Sequence, residues 1–268
     1  MSESALHVER IQSYLRALAQ SQYEAVLLPP FTLFFHPSDP FPYFSYAIPD
    51  VPVRTEDPAI PDTLARLREV FVERGRTPRF EFFEAFAPEL PALLLANGFT
   101  EEARQWSMVC TPERYRSAPP VPGLEIVHLT PESPEEHLKG YVTALHAGFD
   151  NEEPADDAEE IPPEEIENQR ANLRAGWTSM LARLDGVPVA AASFGRIIDG
   201  ISEVAGIATR PTYRRRGIAT LLAGRCAEMI FAQGGQIATL TAADASAGRV
   251  YEKVGFQPFS TMLAYRSA

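Results

Sequence analysis

The residues best suited to chemistry form a turn of three arginines and one glycine, Arg214-Arg215-Arg216-Gly217 (the arginine turn). The almost uncharged run Ile201–Thr209 precedes it and predicts a strand that is buried on both faces. Apolar residues at helical spacing predict a helix from Ile218 onward. A loop from strand to helix points unpaired N–H groups and the positive end of the helix dipole at whatever lies above it. The arginine turn therefore predicts an anion site.

Charge supports this prediction. Residues 204–227 contain five arginines and no acidic residue, although the formal net charge of the chain is −12. Such a local excess favours a bound phosphate, and the alternative is a turn whose arginines only keep the surface soluble. Gly217 permits a positive φ or a close approach of the ligand. A Walker loop and a Gly-x-Gly-x-x-Gly fingerprint are both absent from the sequence.

The segment Arg214-x-x-Gly217-x-Ala219 resembles the Arg/Gln-x-x-Gly-x-Gly/Ala loop of the GNAT N-acetyltransferase superfamily, which holds the pyrophosphate of acetyl-CoA. Downstream residues resemble the family's Asn-x-x-Ala-x-x-x-Tyr-x-x-x-Gly-Phe pattern, with Asp in place of Asn: Asp244, Ala247, Tyr251, Gly255 and Phe256. The resemblance covers residues 123–268. It implies direct acetyl transfer from acetyl-CoA to a primary amine of a small molecule or peptide, without a metal.

The resemblance also implies which residues contact the cofactor. The backbone of three strand residues would pair with the pantetheine arm, and the turn with the start of its helix would hold the pyrophosphate. The set is Ile207, Ala208, Thr209, Arg214, Arg215, Arg216, Gly217, Ile218, Ala219, Thr220 and Asp244. Asp244 has a second interpretation as the N-cap of the next helix, which its residue type favours.

Two residues are candidates for proton transfer. In many members of the family a tyrosine at the position of Tyr251 lies beside the sulfur of CoA and serves as general acid; the alternative is that Tyr251 only packs, since it belongs to an apolar helical stripe. Glu203 is the only acidic residue of the predicted strand and is the candidate base. Burial would raise its pKa toward neutrality. Its alternative role is a structural pair with a neighbouring arginine.

Composition narrows the class of protein. A sequence pI of about 4.9 argues against a nucleic-acid partner. The only two cysteines, Cys110 and Cys226, lie far apart inside predicted elements, and the five histidines show no metal spacing. We expect small buried thiols in a reducing compartment. The sequence also shows no signal segment and no apolar run of membrane length, which predicts a cytoplasmic protein without membrane contact. The sequence leaves open whether the protein forms a homodimer.

A strand, a helix, a Gly-Phe pair and a further strand occur twice, with Gly98-Phe99 and Gly255-Phe256 157 residues apart. We predict an α/β (α+β) fold of two GNAT-like domains, each with a mixed, mainly antiparallel twisted sheet flanked by helices. Residues 1–115 would be a degenerate copy without a phosphate loop, and residues 116–268 the catalytic domain. Chance recurrence of a common helix ending is the alternative.

An acidic run, residues 150–167, would border the acceptor cleft in this topology. One interpretation is a solvated loop, and another is a bias of the site toward cationic amines. The sequence does not identify the acceptor and does not distinguish acetyl from other acyl groups. An acyl-CoA-binding regulatory module without turnover is the alternative from a different class.

Overall fold

The computed structural model describes residues 3–37, 42–154 and 161–267. Two compact units divide the chain, and each unit takes residues from more than one segment. The first unit comprises Met1–Ser107, Thr241–Asp244 and Pro258–Ala268, and the second comprises Met108–Leu240 and Ala245–Gln257. The chain thus enters the second unit close to the predicted boundary at 115/116, and two later segments belong to the first. The functional division into two domains at that boundary stays a prediction.

The first unit has a mixed, mainly antiparallel sheet. Its elements are α1 (Glu3–Gln22), β1 (Glu24–Leu28), β2 (Phe31–Phe35), a 3₁₀ turn (Pro42–Phe44), β3 (Ser45–Pro49), α2 (Ile60–Glu73), β4 (Arg79–Phe83), α3 (Leu90–Ala96), most of β5 (Phe99–Cys110) and nearly all of β11 (Gln257–Ser267). Strands β1, β2 and β3 are antiparallel neighbours, β3 is parallel to β4, and β4 is antiparallel to β11. Aromatic side chains from the strands fill its core against α2 and α3.

The second unit carries the arginine turn. Its elements are β6 (Leu124–Leu129), α4 (Glu135–Asp150), α5 (Pro163–Arg174), β7 (Thr178–Leu184), β8 (Val187–Phe194), β9 (Ile201–Thr209), a 3₁₀ turn (Pro211–Tyr213), α6 (Ile218–Ala232), most of β10 (Ile237–Ala242) and α7 (Ala245–Glu252). Strands β6 to β9 form an antiparallel meander, and β10 lies parallel to β9. The turn between β7 and β8 has positive φ at Asp185 and Gly186, which is the type I′ geometry that suits a two-residue hairpin.

The hydrophobic pattern of the sequence predicted the positions of some of these elements correctly. Strand β9 has the predicted bounds, and α6 begins at Ile218 as expected. The predicted buried thiols are confirmed, because Cys110 and Cys226 are both free and fully buried. Burial raises the pKa of the Cys110 thiol to about 12 and raises that of Cys226 as well. Both are therefore neutral packing groups, not nucleophiles.

Candidate active site

The arginine turn links β9 to α6 through backbone of unusual conformation. Arg215 has a φ of 65° and Gly217 one of 84°, so the chain passes twice through the left-handed region before the helix begins. Gly217 is the N-cap of α6 and has no side chain that could accept a bond from the helix. The first N–H groups of a helix have no partner within it. The start of α6 therefore presents donors and the positive end of a dipole together.

The polar groups around this turn suit an anion. Arg215 and Arg216 are exposed, and the Arg216 guanidinium lies 5.2 Å from the ring centroid of Tyr213. The hydroxyl of Thr209, at the end of β9, is buried and has no hydrogen-bond partner among the residues that the structure describes. An unpaired buried hydroxyl costs free energy, and this one belongs to the last residue of the strand that leads into the arginine turn.

Arg214, the first residue of the motif, has a different environment from its two neighbours. Its Nε donates to the carbonyl oxygen of Thr209 at 3.1 Å, and its Nη2 donates to that of Gly148 at 2.8 Å. Its Nη1 donates to the side-chain oxygen of Asn151. The guanidinium thus joins the end of β9 to the C-terminal end of α4, where a cation also meets the negative end of the helix dipole.

Glu153 makes a second connection in the same region. Its Oε2 accepts from Nε of Arg210 at 2.9 Å and lies 2.9 Å from Nη2 of the same residue. Its Oε1 accepts from the backbone N–H and the hydroxyl of Thr212, each at 2.7 Å. Partial burial opposes ionisation, but the bonds from Thr212 and Arg210 prevail and lower the pKa of Glu153. One member of the acidic run therefore binds the turn instead of facing solvent.

Strand β9 changes its pairing before it reaches the turn. Its registered pairs with β10 cover only Ile201–Glu203, so Ile207, Ala208 and Thr209 lie beyond them. Its register with β8 shifts near Gly206, whose φ of 61° is typical of a bulge. The bulge re-aims the last residues of β9, and these are the residues predicted to pair with an extended ligand arm.

Helix α4 approaches this strand very closely. A Cβ on Gly148 would lie 2.7 Å from Cβ of Ala208 and 2.9 Å from the backbone N of Thr209. Only glycine allows this contact without a backbone shift, because real Cβ atoms do not approach backbone atoms so closely. Gly148 therefore fixes the distance between α4 and the end of β9.

The two candidates for proton transfer lie on separate elements. Glu203 is half-buried on β9 in register with Thr239 of β10, and its carbonyl oxygen accepts from the N–H of Gly195 at 2.9 Å. Tyr251 is half-buried near the end of α7, and its ring meets Phe256 edge-on with centroids 6.3 Å apart. Their catalytic roles stay predictions.

The remaining predicted residues divide between packing and surface. Ile218 is buried, Ala219 is half-buried, and the hydroxyl of Thr220 lies 3.5 Å from the carbonyl oxygen of Val250. This contact joins the first turn of α6 to the residue before Tyr251. Asp244 is exposed and directly precedes α7, which is the position that its N-cap interpretation requires.

Other features do not point to a second reactive centre. An open cavity of about 460 Å³ lies between residues 115–121, strand β6 and the side of α6, and no predicted site residue lines it. Within the described ranges, no three His, Cys, Asp or Glu residues gather as metal ligands. The same ranges contain no helix with the length and apolar character needed to cross a membrane.

Comparison with known proteins identifies the second unit. Residues 142–256, which run from α4 to Phe256, match the acetyltransferase (GNAT) family. This segment is a GNAT acetyltransferase domain. Its membership supports acyl transfer as the general activity. No curated protein matches the sequence.

Solved structures similar to the whole chain include other GNAT proteins. A GCN5-related N-acetyltransferase from Kribbella flavida is 26% identical with a TM-score of 0.77, and the match covers 100% of this chain and 96% of that one. A GCN5-related N-acetyltransferase from Sphaerobacter thermophilus is 16% identical (TM-score 0.66; 96% and 84% covered). A tandem GNAT protein from the clavulanic acid biosynthesis pathway is 18% identical (TM-score 0.65; 88% and 78% covered). These similarities support the mixed α/β fold, and the degenerate N-terminal copy stays a prediction.

Sequence reasoning missed the residues of the GNAT domain that hold the arginine turn from outside: Gly148, Asn151 and Glu153. A glycine near the end of a helix was a visible signal, but its cause, the contact with Ala208, lies 60 residues away in the sequence. Glu153 was one carboxylate within a long acidic run, part of which, residues 155–160, lies outside the described residues. Nothing in composition separates it from its neighbours.

Proposed function

We propose that this chain is an N-acetyltransferase that moves an acetyl group from acetyl-CoA to a primary amine of a small molecule or peptide by direct transfer. The observation that carries the proposal is the start of α6, where a left-handed glycine and two exposed arginines directly precede a helix that has no side-chain cap. These groups fit a diphosphate in charge, in donor number and in the absence of an obstructing side chain.

The binding residues follow from this fit. The N–H groups of residues 217–220, with Arg215 and Arg216, would hold the diphosphate. The backbone of Ile207, Ala208 and Thr209, which lies beyond the registered pairing with β10, would bond to the pantetheine arm as an added strand. Asp244 would stand near the cofactor only in the first of its two interpretations, and the N-cap interpretation is favoured because a carboxylate close to phosphates is unfavourable.

Acetyl-CoA supplies an acetyl group activated as a thioester. The chain must remove a proton from the attacking amine, and Glu203 would accept it through water. The chain must also protonate the departing sulfur, and the phenol of Tyr251 would donate that proton. The rest of the rate enhancement would come from holding acetyl-CoA and the amine in line for attack.

The acceptor side is proposed to favour cationic amines. Asp150, Glu152 and Glu164 are exposed carboxylates of the acidic run, whereas Glu153 is engaged by the turn. Replacing the three exposed residues by amides should raise KM for an amine without changing affinity for CoA. An unchanged KM would remove this part of the proposal.

A direct experiment separates catalysis from binding alone. Purified protein is mixed with acetyl-CoA and a panel of polyamines, aminoglycosides, amino acids and peptides, and thiol release is followed. Turnover with any amine supports the enzyme, whereas calorimetric CoA binding without turnover supports the acyl-CoA-binding regulatory module. Turnover with a different acyl-CoA alone would revise the acyl group. The buried free thiols fit a reducing compartment, so a cytoplasmic location belongs to the proposal.

A further inference from the structure

We propose that Glu153 and Arg214 are positioning residues that hold the arginine turn in its anion-binding shape by fixing it to the C-terminal end of α4. The inference rests on the proposed function, since it takes CoA as the anion. Neither side chain is proposed to contact the cofactor, and for Arg214 this differs from the cofactor contact that the family resemblance implies. Each would act through the backbone of residues 209–217.

Glu153 restrains the segment before the turn. Within the described residues, Glu153 makes four contacts with Arg210 and Thr212, which lie directly after β9. The Arg210 side chain is only 8% exposed, and its Nη1 also donates to the carbonyl oxygen of Pro188 on β8 at 3.1 Å. A nearly buried guanidinium needs a carboxylate, so Glu153 both neutralises Arg210 and fixes the path of the chain.

Arg214 restrains the turn at its first residue. Its three donors reach two carbonyl oxygens and one side-chain amide on β9 and the end of α4, although Gly148 lies 66 residues away in the sequence. Because the same residue starts the turn, these bonds fix the point at which the backbone enters the left-handed conformation of Arg215. The close contact of Gly148 with Ala208 supports the α4 end as a rigid base.

The consequence concerns affinity. A turn that is ordered before the ligand arrives loses less conformational entropy when it binds, so its N–H donors bind the anion more tightly. If either restraint is removed, the turn must be ordered by the ligand itself. The affinity for CoA should then fall, whereas kcat at saturating acetyl-CoA should change little.

The test compares Glu153→Gln with Glu135→Gln. Glu135 lies at the opposite end of α4 and pairs with Lys139 at the surface, so its variant removes a charge without touching the turn. Calorimetry with CoA alone should show a Kd about tenfold higher for Glu153→Gln and unchanged for Glu135→Gln. KM for acetyl-CoA should rise in parallel while kcat stays within about twofold of wild type.

Three further variants guard against a simple folding defect. Thr212→Val removes one of the four contacts at an exposed position, and should raise Kd about threefold with an unchanged Tm. Arg214→Lys, which keeps the charge and fewer bonds, should bind CoA better than Arg214→Met. Equal Kd values for wild type, Glu153→Gln and Thr212→Val would overturn the inference, as would a loss confined to kcat. Wild-type protein that binds no CoA would instead overturn the proposed function.

Discussion

The helix starts of α2 and α6 show how two similar positions differ in chemistry. At α2 the N-cap is Ala59, Asp57 accepts from its N–H at 2.9 Å, and Pro61 and Asp62 occupy the first turn. At α6 the N-cap is Gly217, and the first turn contains no acid. At α2 the acidic residue of the first turn repels an anion, and the proline there has no N–H to donate to one. A positive dipole end becomes a site only where the sequence leaves it uncovered.

A second pair of similar positions, at the ends of two helices, also differs in chemistry between the two units. Helices α3 and α7 both end before a glycine of positive φ and a phenylalanine, Gly98-Phe99 and Gly255-Phe256. The residue four before each glycine is Leu94 in the first unit and Tyr251 in the second. Leu94 is fully buried in the core, whereas Tyr251 is half-buried with a hydroxyl. The first position therefore serves packing, and the second is the position for which we propose proton transfer.

The largest effect should come from Leu94→Ala, which would destabilise the fold by about 3 kcal/mol because it leaves a cavity in a close-packed core. Chemical denaturation measures the loss. The control is Leu95→Ala on the same helix, where the side chain is 56% exposed and truncation should cost little. Equal losses would show that Leu94 does not have the packing role inferred here.

Tyr251→Phe should lower kcat by about 10²-fold with an unchanged Tm, since packing is kept and the proton donor is lost. Steady-state kinetics at saturating acetyl-CoA measures it. Tyr265→Phe is the control from the first unit, because it loses only a 2.8 Å hydrogen bond to Glu101 and should leave kcat unchanged. Full activity in the Tyr251 variant would reduce Tyr251 to the packing role of Leu94.

The double variant Arg215→Ala/Arg216→Ala should weaken CoA binding by about tenfold, since two charge-assisted contacts to phosphate are lost. Calorimetry at low and high salt should show a smaller salt dependence in the variant. Arg54→Ala, which removes an exposed arginine of the first unit, is the control. A wild-type Kd in the double variant would leave the helix N–H groups as the only anion contacts.

Asp57→Ala should have the smallest effect, a loss of about 1 kcal/mol of stability without a change in CoA affinity. The physical reason is that the carboxylate supplies an acceptor at the start of α2 and nothing to the ligand. Thermal unfolding and calorimetry measure the two quantities. A gain of CoA or phosphate binding in this variant would break the contrast between the two helix starts.

Periodicity and turn chemistry were sufficient to predict most elements, because each depends on residues close in sequence. Strand β9 and the start of α6 are examples. The contacts of Arg214 with Gly148 and Asn151 and those of Glu153 were not predictable, since they join residues 57 to 66 positions apart. The partner of β11 was hidden for the same reason: its registered pairing with β4 depends on tertiary structure.

The pairing of β4 with β11 affects the order in which the first unit is synthesised and folded. Strand β4 leaves the ribosome early, but residues 262–266, with which it is in register, are added more than 170 residues later. Until residues 262–266 have been synthesised, the edge of β4 that they cover is exposed or is paired with another segment. The first unit is therefore translated first but closed last, and a nascent chain stalled before β11 would display an open strand edge suited to chaperones or to aggregation.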